Sequence, residues 1–237
     1  MGQGCERDRR QTGVGCWLFL YLDELTMRIA LIHALRHSPP PVEESFARLW
    51  PEATLMNLLD DSLSADLAAA GRITDDITRR FLELSAYAVS TGSDAILFTC
   101  SAFGPCIEAC AARYPHIPVL KPNEAMIEEA AGIARRVGLL ATFAPTLASM
   151  PQEFPQGMTV VTKLAEGALA ALDRGDVKEH DRLAAVAATD LRDCDVIALG
   201  QFSLARAAGE VAKATGLKVL TTPDCAVLKL KRLLKAG

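Results

Sequence analysis

Ser93-Asp94-Ala95-Ile96-Leu97-Phe98-Thr99-Cys100 and Cys194-Asp195-Val196-Ile197-Ala198-Leu199-Gly200-Gln201 are one pattern written twice. In each, a small residue and an aspartate precede four apolar residues. Six positions beyond the aspartate stands Cys100 in one copy and Gln201 in the other. A short apolar run without alternation suits a strand covered on both faces, as in a parallel sheet flanked by helices.

The similarity extends outward from these runs. A helix and a short strand follow each of them, Ile117-Pro118-Val119-Leu120 and Leu217-Lys218-Val219-Leu220. Next come proline turns, Lys121-Pro122-Asn123 against Thr222-Pro223-Asp224, and further helices. Upstream, Arg28-Ile29-Ala30-Leu31-Ile32 parallels Arg136-Val137-Gly138-Leu139-Leu140. Matched offsets at three places favour a duplication over the generic likeness of βαβ units. Strands are expected over 28–33, 54–58, 95–99, 119–120, 137–141, 159–162, 196–199 and 219–220. Helical segments, among them 73–90, 123–136 and 181–191, alternate with them, which implies parallel sheets with right-handed crossovers. The fold class is therefore α/β, as two pseudo-symmetric parallel-sheet halves with the active site between them. The first half is expected over 27–122 and the second over 123–224. A C-terminal helix, 225–237, is expected to pack back on the first half, and residues 1–26 read as a leader without a periodic apolar pattern.

Loops at the carboxyl ends of parallel strands line ligand crevices, so the Cys100 loop should face the Gln201 loop across a small ligand. Thr99-Cys100-Ser101-Ala102-Phe103-Gly104-Pro105 carries the strongest chemical signal. A cysteine at a strand end, just before a helix, lies near free backbone N–H groups that favour a thiolate and bind carboxylate oxygens. The competing reading is a buried structural cysteine. His33, Arg36 and His37 follow the first strand at the same end, as candidate carboxylate ligands or as ordinary loop residues. Thr142, Thr146, Thr221 and Thr222 occupy matching strand ends in the second half. Cys106 and Cys110 share a helix face without histidines nearby, so they read as packing rather than a metal site, as do Cys194 and Cys225.

Composition closes other doors. Of 237 residues half are hydrophobic and 5% aromatic, and the net charge is -4. The basic cluster Lys229, Lys231, Arg232 and Lys235 reads as a solvated helix face, so no nucleic-acid partner is expected. Seven cysteines, an odd number, and no export signal point to reduced thiols in the cytoplasm. The run Trp17–Leu22 is too short to span a bilayer, so no membrane partner is expected. There is no Gly-x-Gly-x-x-Gly, Walker loop or Gly-x-Ser-x-Gly elbow. A cofactor-free carbon-acid enzyme with a small-molecule substrate remains; the oligomeric state, a homo-oligomer included, is left open.

On these residues the chain resembles the aspartate/glutamate/hydantoin racemase superfamily over about 27–237. The likeness rests on Gly92–Ser101, on Val137–Thr142 with Thr146, on Asp195–Gln201 and on Pro223. The resemblance implies an active site between two α/β halves and catalysis without pyridoxal phosphate. It also implies two cysteines, one per half, acting on opposite faces of an acidic carbon. Cys100 matches the first cysteine, whereas the second position holds Gln201, whose amide cannot exchange a proton at neutral pH. A one-thiol variant is thus expected, with Cys100 and Gln201 at the reacting centre. His33, Thr99, Ser101, Ala102, Thr142, Ser203 and Thr222 are the expected substrate contacts. The expected reaction is racemisation or isomerisation of a small carboxylate or amino-acid-like substrate. The alternatives are decarboxylation of a malonate-like acid and a catalytically silent metabolite-binding protein. Ser101 stands where many members carry asparagine, so substrate preference does not transfer.

Overall fold

The computed structural model describes residues 26–235, so the leader, apart from Thr26, lies outside the described residues. The first half runs β1 (Arg28–His33), α1 (Pro39–Leu49), β2 (Thr54–Leu59), α2 (Ser62–Ala70), α3 (Asp75–Ser90), β3 (Ala95–Phe98), α4 (Gly104–Arg113), β4 (Val119–Leu120) and α5 (Glu124–Ile133), the last grouped by its place in the repeat although the expected second half opens at 123. The second runs β5 (Arg136–Ala141), α6 (Ala144–Ser149), β6 (Thr159–Leu164), α7 (Ala168–Asp173), α8 (Val177–Ala188), β7 (Val196–Leu199), α9 (Ala208–Thr215), β8 (Lys218–Thr221) and α10 (Thr222–Lys235). Two four-stranded parallel sheets result, ordered β2-β1-β3-β4 and β6-β5-β7-β8. All eight expected strands form, with ends shifted by at most two residues. The expected 123–136 helix ends at Ile133 because Ala134 turns extended and Arg136 enters β5. No helix among the described residues is long and apolar enough to cross a membrane.

The repeat is visible at atomic level. Asp94 accepts the Arg28 N–H at 2.7 Å, and Asp195 accepts those of Arg135 and Arg136 at 2.8 Å. Each aspartate thus satisfies the first free donors of its central strand, as buried-sheet backbones require. Arg28 pairs with Thr54 as Arg136 pairs with Thr159, and Ile32 with Phe98 as Leu140 with Leu199. One detail differs from the sequence alignment. The registers pair Leu120 with Leu97 and Leu220 with Ala198, so Lys121 corresponds to Thr221 and the two prolines are offset by one residue.

Helix α3 shows how the layers form. Thr74 caps it by accepting the Ile77 N–H, and Ile77, Phe81, Ser85 and Ala88 make its buried stripe. The last helix of each half crosses over. Ala125, Met126, Ile127 and Ala130 of α5 pack with Val137 and Leu139 of the second sheet. Ala226, Val227 and Leu230 of α10 pack with Ile29, Leu31 and Leu97 of the first. Helix α10 starts at Thr222 because Pro223 is tolerated in a first turn. Its Asp224 accepts from Ser45 and Arg48 of α1, each at 2.6 Å. Lys229 is paired with Glu124 and Glu128, and Lys231 bonds the Leu49 carbonyl.

Candidate active site

Cys100 follows β3 and opens a 3-10 turn, Ser101–Phe103, that leads into α4. Two phenylalanines clamp this segment. Phe98 before it and Phe103 after it are both buried, and both meet Phe81 of α3, with ring centroids 5.3 and 4.8 Å away. Burying a phenylalanine contributes about 1.5–3 kcal/mol, so the strand end is held firmly. Cys100 itself is half-buried. Burial pushes its thiol up, and the Ala102 N–H and the Ser64 hydroxyl pull it only part of the way back. At neutral pH the group therefore rests protonated, contrary to a thiolate-favouring loop. Thr99 does not serve the sulfur either, since its hydroxyl lies 2.8 Å from His33 Nδ1.

Gln201 follows β7 in the equivalent place and opens the turn Phe202–Ala207. Phe202 is buried among Ile29, Leu31 and Leu97 of the first half, while Leu204 packs in the second. Gln201 thus sits at the seam between the halves. Its Oε1 accepts the backbone N–H of Thr142 at 2.6 Å and the Thr142 hydroxyl at 3.0 Å. Two donors on one oxygen fix the amide orientation and leave the Nε2 donors facing away from Thr142.

The remaining expected contacts divide. Ser101 and Ala102 are exposed on the Cys100 turn, and Ser203 is half-buried on the Gln201 turn. Thr222 is fully buried with an unpartnered hydroxyl. His33 is fully buried with both nitrogens engaged, Nδ1 by Thr99 and Nε2 by Asn57 at 2.9 Å. Arg36 pairs with Asp61, and exposed His37 lies 3.7 Å from Asp173 of the second half. Cys106 and Cys110 are buried in the core of the first half.

Beside the Cys100 turn, a crevice of about 190 Å³ takes its walls from both halves: Ser101, Gly104, Glu108, Lys121, Pro122 and Glu153. Lys121 pairs with Glu108 at 2.7 Å, and burial pushes the Glu153 carboxyl up despite Lys121. A larger groove of about 460 Å³ lies between α8 and α9, among Lys178, Arg182 and Glu210, and none of the expected site residues lines it. Sequence reasoning missed Ser64, although the Asp60-Asp61-Ser62-Leu63-Ser64 segment begins a helix at a strand end just as the Cys100 loop does. It also missed the Phe98–Phe81–Phe103 clamp, which no local pattern displays. Among the described residues no three His, Cys, Asp or Glu side chains gather as a metal site.

The family model for Asp/Glu/Hydantoin racemase matches residues 42–230. Among solved structures, an aspartate racemase homologue from Pyrococcus horikoshii superposes with a TM-score of 0.68 at 16% identity, over 89% of this chain and 100% of that one. Glutamate racemase RacE1 from Bacillus anthracis gives 0.66 at 14% identity, over 89% and 82%. Unliganded arylmalonate decarboxylase gives 0.60 at 17% identity, over 90% and 94%. At such identities the superpositions show a common fold. A search of curated proteins finds no match.

Proposed function

We propose, from the premise that the chain belongs to the Asp/Glu/Hydantoin racemase family, that it is an isomerase-type enzyme in which one thiol moves a proton at the acidic carbon of a small carboxylate or amino-acid-like substrate. The observation carrying this is the placement of Cys100 and of an orientation-locked Gln201 at equivalent strand ends. An amide does not titrate, so Gln201 holds charge rather than moving a proton. Its Nε2 donors are suited to the oxygen that gains charge as the α-proton leaves, and a donor of this kind is worth about 10²–10³ in rate. Ser101, Ala102 and Ser203 complete the oxygen contacts, while Thr222 is fully buried. The chemistry uses the chain's own groups and no cofactor, and the cytoplasm suits a reacting thiol.

A second reading is favoured by the amide at Gln201, which leaves Cys100 as the single titrating group at the two equivalent strand ends. Burial pushes that thiol up, toward the proton-donor form. In a malonate-like acid the bond to one carboxylate breaks, CO2 leaves, and the electron pair stays on the α-carbon as an enolate. The Cys100 S–H then protonates that carbon, and the thiolate recovers a proton from water. One proton donor suffices, which agrees with glutamine on the other side. Leu35 and Phe143, 45% and 49% exposed, occupy equivalent loops after β1 and β5. They would suit an apolar substituent on such an acid.

The test is turnover in D2O over aspartate, glutamate, hydantoins and substituted malonates. Deuterium entering the α-position without net change supports the isomerase reading. CO2 release with one deuterium gained supports the decarboxylase reading. Absence of both, in protein whose Cys100 those acids still shield from alkylation, leaves a binding protein and overturns both.

A further inference from the structure

Four side chains, from α1, β2, β1 and the residue after β3, form one line that ends beside Cys100. Asn57 of β2 donates Nδ2–H to Glu43 of α1 at 2.6 Å. Its Oδ1 lies 2.9 Å from Nε2 of His33 at the end of β1. His33 Nδ1 lies 2.8 Å from the Thr99 hydroxyl, one residue before the thiol.

The direction of every bond follows from the first. A carboxylate only accepts, so the Asn57 amide must turn its NH2 to Glu43 and its carbonyl oxygen to the ring. That oxygen only accepts, so Nε2 carries the hydrogen. Burial holds the imidazole below its usual range against the opposing pull of Asn57 and Glu43, so the ring is neutral at pH 7. Nδ1 is then an acceptor, and the Thr99 hydroxyl donates to it rather than to the Ile32 carbonyl 3.4 Å away. An asparagine amide does not pass protons on, so the line is not a relay from solvent.

The second half serves as an internal control. The positions equivalent to His33, Asn57 and Thr99 are Ala141, Thr162 and Gly200. Gly200 is crowded, since an added Cβ would meet Leu139 and Met150 at 3.2 Å. The polar line is therefore present where the strand ends in a thiol and absent where it ends in glutamine.

We propose that His33 is a positioning residue for Cys100: its neutral Nε2–H tautomer, set by Glu43 and Asn57, locks the Thr99 hydroxyl and with it the strand end that presents the thiol. The inference rests on Cys100 being the reacting thiol, but its test needs no substrate. Around the ring, β2 supplies Asn57, the residue after β3 supplies Thr99, and Glu43 of α1 stands behind Asn57. Asp60, whose N–H bonds the His33 carbonyl, spends its carboxylate on Ser62 and Arg80.

The experiment is the rate of iodoacetamide alkylation at Cys100 in the full chain, followed by peptide mass spectrometry from pH 5 to 10. The wild type should show the thiol's own titration alone. Asn57→Asp, made together with Glu43→Gln so that the new amide donates to the new carboxylate, puts a carboxylate against Nε2–H, favours imidazolium and turns Thr99 from donor to acceptor. A second step should then enter the Cys100 profile, at or above the ordinary imidazole value of about 6.5. Thr99→Val should change the rate about threefold to tenfold, the range expected for one neutral hydrogen bond, and Thr99→Ser should restore it. A double-variant profile superimposable on the wild type overturns the inference, as do equal effects of Thr99→Val and Thr99→Ser. If the double variant does not fold, the Thr99 pair decides. A failure of Cys100 as the reacting group appears separately, as turnover that survives Cys100→Ser.

Discussion

Cys100 and Gln201 stand at the same register position of two sheets with the same strand order, each two residues beyond the last residue paired to a central strand, Phe98 to Ile32 and Leu199 to Leu140. The duplication thus presents two different chemistries at one position. A thiol can give and take a proton, whereas an amide, here held by Thr142, can only donate to charge. The proposed one-thiol enzyme rests on that difference.

Replacing the amide should separate its two duties. Gln201→Leu removes the donors and orphans the Thr142 hydroxyl. Turnover should fall about 10²–10³-fold, with a stability loss of only about 1–3 kcal/mol. Gln201→Cys restores a titrating group on the second face, so α-deuterium exchange in D2O should begin to yield inverted product. Chiral chromatography of the recovered substrate reads this, and unchanged stereochemistry with a folded variant would count against facing loops.

Selective labelling of Cys100 should arise from access rather than acidity. Burial raises all five described thiols, Cys225 to about 12, but only Cys100 is half-exposed. Iodoacetamide should modify Cys100 well ahead of Cys106, Cys110, Cys194 and Cys225. Its rate should keep climbing above the ordinary thiol value of about 8.5. Because the Ser64 hydroxyl lowers the thiol's pKa, Ser64→Ala should move the curve to still higher pH. A plateau below pH 8 would contradict this environment.

The clamp around Cys100 should be costly to remove. Phe81→Ala leaves both Phe98 and Phe103 without their partner and should destabilise the chain by about 3–5 kcal/mol. Urea unfolding measures this, and a loss under about 1 kcal/mol would show that the loop is held by something else.

Asp195 gives a pH-dependent prediction. The Arg136 and Arg135 N–H groups hold its carboxyl below the usual range. A depressed folded pKa means stabilisation that is complete above the unfolded value, about 3.9, and lost as pH falls through the folded one. The melting-temperature gap between wild type and Asp195→Ala should therefore be full at pH 7 and shrink below about pH 4. A gap that stays constant into acid would remove the charge from the account.

How much of this was legible in the sequence depends on the range of each interaction. The strands announced themselves because both faces of β3 and β7 are buried, so the apolar runs are unbroken. The repeat was legible because Asp94 and Asp195 do the same backbone work at the same offset. The surroundings of Cys100 were not. Ser64, Asn57 and Glu43 reach the site or its His33 support from α2, β2 and α1, and such contacts leave no trace in local spacing. The sense of the thiol's shift is hidden for a related reason: strand-end position suggests helix-end stabilisation, whereas burial outweighs it.

On the proposed function one thiol, Cys100, performs the proton transfer. Its most direct measurement is turnover of a carboxylate that the wild type converts in D2O, repeated with folded Cys100→Ser. A serine hydroxyl ionises far too high to stand in for a thiol. Deuterium incorporation should therefore fall by at least about 10²-fold, the scale of a lost acid–base group, with the melting temperature kept. Wild-type incorporation by Cys100→Ser would mean that another group moves the proton.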